Sequence, residues 1–334
     1  MTETLAQFSN NAMYSATVVY ALAMLAHVAE WAMARQLPAD QTIHEPAWVG
    51  SLPVGEPVTS PVVEPVETAR ATGPADSDLE RSDRFGRIGL SLTVLAMLIS
   101  AAGVVSRGLA ASRVPWGSMY EFAITGSLAV AVAYLFLVRR YAIRWLGLLV
   151  TAFLVMVLGV AVILLYRPVA PLVPALHSYW LVIHVSAAAT AGGAFTVGAL
   201  TSVLFLLRSR LEGKARHNPA APMTGFLWRT PSAKAIDRIA YRVHAFAFPL
   251  WTFAVLAGAI WAQYAWGRFW GWDPKEVWAF ITWVVYAAYL HARATAGWQG
   301  RAAAYVALLG FATFLFNFVG INLFGSGLHA YSGM

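Results

Sequence analysis

WGRFWGWDPKEVW, residues 266–278, sets four tryptophans, four charged side chains and a proline in thirteen positions, between two apolar runs each long enough to cross a bilayer. A loop joining two membrane spans is rarely built this way. It offers flat aromatic faces at a membrane surface, which suits a large planar ligand, and histidines of the adjoining segments are the natural ligands for a metal that such a molecule carries. Around the loop the chain is 59% hydrophobic and 12% charged, with a mean hydropathy of +0.61. That composition predicts an all-α, polytopic transmembrane helical bundle rather than a soluble domain.

Runs of about 20 apolar residues, enough to cross a hydrocarbon core of ~30 Å, fall near 12–34, 87–106, 120–138, 145–165, 179–207, 241–264, 275–292 and 303–323. If the first span enters from outside, 18 Lys and Arg lie on the inner side and five (Arg107, Arg113, Arg167, Arg268 and Lys275) on the outer. The positive-inside rule then predicts that both termini and the tryptophan loop face outward. The same asymmetry accounts for the net charge of +7, so basicity gives no reason to expect nucleic acid as a partner. With no cysteine in the chain, disulfides, thiolate metal sites and thiol redox chemistry are excluded for this polypeptide, and a thiol in any reaction belongs to a partner. The N-terminal stretch MTETLAQFSNNAM lacks a basic region and a small-residue cleavage site, so the first span is expected to remain as an anchor.

Three parts are expected. Residues 1–35 form the first transmembrane helix. Residues 36–86, containing PVVEPVE, read as a disordered cytoplasmic linker, and 87–334 as one membrane domain with its tryptophan-rich loop at 261–283. The basic segment 208–240, with three prolines, is expected to be irregular or partly helical.

Asp273-Pro274-Lys275-Glu276 has the form of a helix start, with Asp273 as N-cap, Pro274 at the first helical position and Glu276 reaching back to the cap amide. For Asp273 and Glu276 a purely structural role stands beside a part in the site. Interfacial anchoring explains one or two of the tryptophans, but Trp266, Trp270, Trp272 and Trp278, flanked by Trp261 and Trp283, are denser than anchoring requires. They are expected to form a ligand platform.

The loop resembles the WWD signature of the haem-handling membrane proteins of System II cytochrome c biogenesis, the CcsA/ResC type. IDRIAYR (236–242), FPLWTFAVLAGAIWAQYAWG (248–267), DPKEVWAFITWVVYAAYLHAR (273–293) and GINLFGSGLHAYSG (320–333) are similar to that family's C-terminal half, and VPWGSMYEF (114–122) and LHSYWLVIHVS (176–186) to motifs upstream. Together these cover most of 114–334. System I maturation has other WWD proteins, one smaller and one larger; about eight spans with a C-terminal outward histidine suit the System II type.

The resemblance implies haem b as bound substrate. It implies His184, within WLVIHVS, and His329, within GLHAYSG, as axial ligands of an outer site, and His291, within YLHAR, as ligand of a separate intramembrane site. Depth agrees with two sites. His184 and His329 lie near the outer surface, whereas His291 follows Pro274 by 17 residues, ~25 Å at ~1.5 Å per residue. For His184 or His329 taken singly, an interfacial hydrogen-bonded histidine is the competing assignment. Depth alone, not the family, suggests His27 as the second inner ligand, against a packing histidine or a ligand from a partner subunit. His177 is a candidate propionate or shielding residue, and His244 a structural or proton-linked one. Arg268 and Lys275 are the cations nearest the platform and candidates for propionate binding. Glu121 is expected either to orient a ligand histidine or to cap its own helix.

The resulting expectation is a haem-handling subunit of a membrane cytochrome c synthase in a bacterial cytoplasmic membrane. It moves haem outward and presents it for thioether attachment to the Cys-x-x-Cys-His segment of apocytochrome c, within a holocytochrome c synthase (haem lyase) complex. The family implies a second membrane subunit with a large external domain, and the absence of cysteine implies a thioredoxin-like thiol reductant. The alternative is a haem exporter without synthase activity. A glycosyltransferase would need external paired carboxylates, and only Glu121, Asp273 and Glu276 are available.

Overall fold

The computed structural model describes residues 2–37, 74–141, 143–171, 176–220, 222–295, 297–325 and 327–328. Eight long helices build it, with no strand among the described residues: α1 (Thr2–Met33), α2 (Pro74–Ala111), α3 (Met119–Tyr141), α4 (Gly147–Leu164), α5 (Tyr179–His217), α6 (Ala233–Trp266), α7 (Pro274–Thr295) and α8 (Arg301–Leu315). After α8 the chain continues through a π-helical segment, Phe316–Gly320, into a last turn, Ile321–Phe324. Seven helices are long and apolar enough to cross a membrane. The other, α7, has 22 residues but carries tryptophans and tyrosines whose polar tips lower its hydropathy. The expected polytopic helical bundle is what forms.

Helix α5 is the hub. Of its most apolar 18-residue stretch 78% is buried, against 33–39% in the other six apolar helices. The run AAATAGGAFTVGA explains this, because small side chains let neighbouring backbones approach closely where lipid supplies no hydrophobic drive between helices. At Gly193 a Cβ would stand 2.9 Å from the Ala129 backbone of α3. Helix α5 packs along α6 and against α3 and α8, α7 against α8 and α6, and α1 against α2 and α4.

Helix α2 begins at Pro74, inside the stretch read from the sequence as linker, so residues 74–86 are helical. Proline is preorganised for a first helical turn. The extension is also held from outside: Arg144 pairs with Asp83 at 2.6 Å, and the Ser82 hydroxyl donates to the Glu30 carbonyl at 3.0 Å. Tertiary contacts outweigh the polar composition that suggested disorder. The rest of the linker, 38–73, and His329 lie outside the described residues. The basic segment is partly helical, as expected, with α5 running to His217 and a 3-10 turn at Phe226–Arg229 before α6.

Candidate functional site

The tryptophan loop starts where α6 stops. Gly267, at φ +72°, takes the left-handed conformation that closes the helix, and its amide donates to the Gln263 carbonyl at 3.0 Å. Helix α7 then opens as the sequence predicts. Asp273 Oδ1 accepts the Lys275 amide at 3.1 Å, and Glu276 Oε2 accepts the amides of Gly271 at 2.8 Å and Asp273 at 3.0 Å. Both carboxylates are buried. Arg268 Nη1 stands 3.6 Å from Glu276 Oε2, so it braces the loop.

Above α5 the loop borders a partly open cleft of about 200 Å³. Trp116, Met119 and Phe122 come from the start of α3 and the loop before it, and Leu181, His184 and Ala188 from the start of α5. Trp251, Ala254, Gly258 and Trp261 come from α6, Phe269 and Trp270 from the loop, and Lys275, Glu276 and Ala279 from α7. Phe314 ends α8, and Asn317 and Phe318 belong to the π-helical segment. The indole nitrogens of Trp251 and Trp283 donate to the Ala279 carbonyl at 3.2 Å and Thr252 Oγ1 at 2.9 Å, pinning α7 to α6.

His184 is the titratable imidazole in this wall. Its Nδ1 lies 2.7 Å from the Ala254 carbonyl oxygen. A carbonyl only accepts, so Nδ1 carries the proton and Nε2 the lone pair. That tautomer, held by a backbone carbonyl, is the arrangement that orients histidine for metal ligation. The ring stacks over Trp261 with centroids 6.0 Å apart and planes 12° from parallel. Gly258 makes the approach possible, since a Cβ there would meet the ring at 2.8 Å.

The four expected platform tryptophans have different surroundings. Trp270 lines the cleft. Trp266 packs edge-on behind Trp261 at 4.8 Å, and Trp278 lies on Phe316 of the π-helical segment at 4.2 Å. Trp272 is 68% exposed, has φ +59° and meets Trp270 edge-on at 5.9 Å. Trp116 and Trp251 supply further indole surface that the loop reading did not include, and Trp261, named there as flanking the cluster, supplies more.

Three polar atoms of cleft-lining residues are buried without a hydrogen-bond partner, Trp116 Nε1, Glu276 Oε1 and Asn317 Oδ1. An aromatic cleft with one oriented imidazole and a few polar atoms fits an aromatic macrocycle bearing a metal and polar side groups. The π-helical segment brings Asn317 to this wall, and such segments recur at functional sites. Its only sequence signal was FNFVGIN, an asparagine amid an apolar run, which the motif reading passed over.

Glu121 does not orient His184. It is fully buried and joins Arg107 Nε at 3.0 Å, Arg113 Nη1 at 2.7 Å and the Gly117 amide at 2.8 Å, while its own amide donates to Ser118 Oγ at 3.2 Å. It thus fastens the VPWGSMYEF loop, which forms part of the cleft wall, and the cap of α3 is Ser118. His177 is exposed and borders a neighbouring hollow with Arg113 and Tyr179.

At the opposite end of α7 His291 is exposed. His27 is fully buried, with Nδ1 2.8 Å from Glu30 Oε2 and its ring wedged where α1 meets Gly89 of α2 and Gly147 of α4. A porphyrin beside it would have to part three helices. Its Nε2 is buried without a hydrogen-bond partner, and the pairing of His27 with His291 expected from depth would need α1, α2 and α4 to separate around that ring. His244 is likewise fully buried, among Phe195, Tyr286 and Tyr289.

Residues 116–329 match the family described as Cytochrome C assembly protein. The cytochrome c biogenesis protein CcsA of Synechococcus elongatus is 35% identical over 298 residues, covering 78% of this chain and 91% of that protein. The CcsA of Guillardia theta is 32% identical over 256 residues, covering 73% and 85%. A solved structure, the cytochrome c haem lyase CcmF, superposes with a TM-score of 0.57 over 97% of this chain and 50% of that one. At 15% identity it attests the fold alone. By the extent of the family match and by its identity to relatives covered nearly end to end, this chain belongs to the cytochrome c assembly protein family, as a member of CcsA type.

Proposed function

We propose that this chain, whose family supports a role in cytochrome c maturation, does so by handling haem, and that the cleft beneath the tryptophan loop is where haem b is presented for attachment. The observation that carries this is the His184 imidazole, oriented by the Ala254 carbonyl in a wall of indole and phenyl rings. His184 and His329 are the proposed axial pair. Lys275 at the cleft is the proposed partner of a propionate, with Asn317 as a further polar contact. Haem supplies the vinyl groups to which apocytochrome thiols add, each sulfur forming a bond to one vinyl carbon while a proton goes to the other. The chain's own part is to bind, orient and exclude water.

His291 is the proposed inner ligand. Its exposure on α7 suits a second ligand from a partner membrane subunit better than one from this chain. Apocytochrome c, a second subunit with a large external domain and a thioredoxin-like reductant complete the proposed system, in a bacterial cytoplasmic membrane with the loop on the outer face.

Absorption spectra of the purified chain, alone and with the partner subunit, test the reading. His184→Ala and His329→Ala are expected to alter one haem population and His291→Ala another, and absence of haem under every condition would refute it. Co-expression with the partner separates synthase from exporter: covalent cytochrome c is expected, and haem delivered outside without attachment would favour the exporter.

A further inference from the structure

Asp273 does more than cap α7. Its Oδ1 accepts the Lys275 amide, but its Oδ2 accepts the amide of Leu328 at 2.7 Å, across 55 residues of sequence. Leu328 immediately precedes His329. The carboxylate is buried, so this bond between charge and amide is stronger than a neutral one in water. A second observation concerns Gly327. A Cβ there would run into the Asp273 carboxylate and lie 3.3 Å from Pro274 Cδ, so the chain can lie against the start of α7 only because this position carries no side chain. The same helix start holds Glu276 and Ala279 in the cleft wall.

We propose that Asp273 is a positioning residue for the C-terminal histidine: one carboxylate joins the helix that walls the cleft to the segment bearing His329, and Gly327 gives the clearance that the junction needs. This rests on the reading of His184 and His329 as the axial pair. The aspartate couples the tryptophan loop to the outer ligand, and a ligand exchange at His329 involves release of the Leu328 amide. Neither oxygen of Asp273 need touch haem.

Asp273→Asn isolates the tether, because asparagine is as good an N-cap as aspartate. Its single oxygen can serve the Lys275 amide or the Leu328 amide, and its NH2 group then opposes the other. In the full-length purified chain carrying haem b, the ratio of six-coordinate low-spin to five-coordinate haem is expected to fall about 10-fold, as loss of one hydrogen bond to a charged group implies. Added imidazole is expected to restore the low-spin spectrum, which a general loss of fold would not allow. Gly327→Ala keeps the Asp273 side chain but sets a Cβ against its carboxylate on the Leu328 side; it is expected to do the same, so it decides the matter if Asp273→Asn fails to fold. A wild-type spectrum in both variants overturns the proposal. His329→Ala tests the underlying reading separately: no spectral change there overturns the ligand assignment and the haem consequence drawn from it. The tether itself is then read by hydrogen exchange at the Leu328 amide, where lost protection in Asp273→Asn supports it and unchanged protection refutes it.

Discussion

Gly258→Ala is expected to damage the proposed haem site while leaving the helix that carries it intact. Position 258 lies inside α6, where alanine ordinarily stabilises a helix over glycine by about 0.5–1 kcal/mol. Here the new Cβ would stand 2.8 Å from Cε1 and Nδ1 of His184, and the ring would have to withdraw by about 0.6 Å to reach an ordinary contact of 3.4 Å. The Nδ1 hydrogen bond to the Ala254 carbonyl begins at 2.7 Å, so the same movement stretches it to the edge of hydrogen-bonding distance. Loss of such a supporting partner lowers metal affinity roughly 10- to 100-fold. Haem titration of the purified variant, followed by absorption and with thermal melting as a control, is the assay. A variant of equal or higher melting temperature with haem affinity at least about 10-fold weaker is the expected result. Wild-type affinity and an unchanged spectrum would refute the role given to the His184 orientation.

Two further substitutions test the scaffold. Glu121→Gln removes the charge that joins fully buried Arg107 and nearly buried Arg113, and breaking a buried pair from one side costs about 3–5 kcal/mol. A large drop in melting temperature, or no recoverable protein, is expected, and a wild-type melt would show that the arginines find other partners. Gly193→Val sets methyl groups against the Ala129 backbone, where even a Cβ would stand at 2.9 Å. Overpacking against a backbone that cannot yield is expected to destabilise by about 1–3 kcal/mol or more, measured by melting in detergent.

Local and periodic features could be read from the chain. Apolar runs marked the spans because the thickness of a hydrocarbon core sets their length, and the α7 cap was legible because its three hydrogen bonds join residues within five positions of one another. The start of α2 was missed because its support, Arg144, lies 61 residues from Asp83. His184 could be singled out, but its tautomer depends on the Ala254 carbonyl, 70 residues away. Depth placed His27 and His291 alike, yet depth says nothing about which helices surround a side chain: α2 and α4 enclose the His27 ring, whereas His291 is exposed.

Composition, short spacings and motifs were enough for a helical membrane bundle, the loop at 266–278, the cap at Asp273 and the family. Packing between distant segments set which indoles face the cleft. Their direction depends on the path of the loop, with Trp270 in the wall and Trp272 turned outward at φ +59°. It also decided that Asp273 serves Leu328 as well as its own helix. A carboxylate has two oxygens, and sequence spacing accounts for the local one alone.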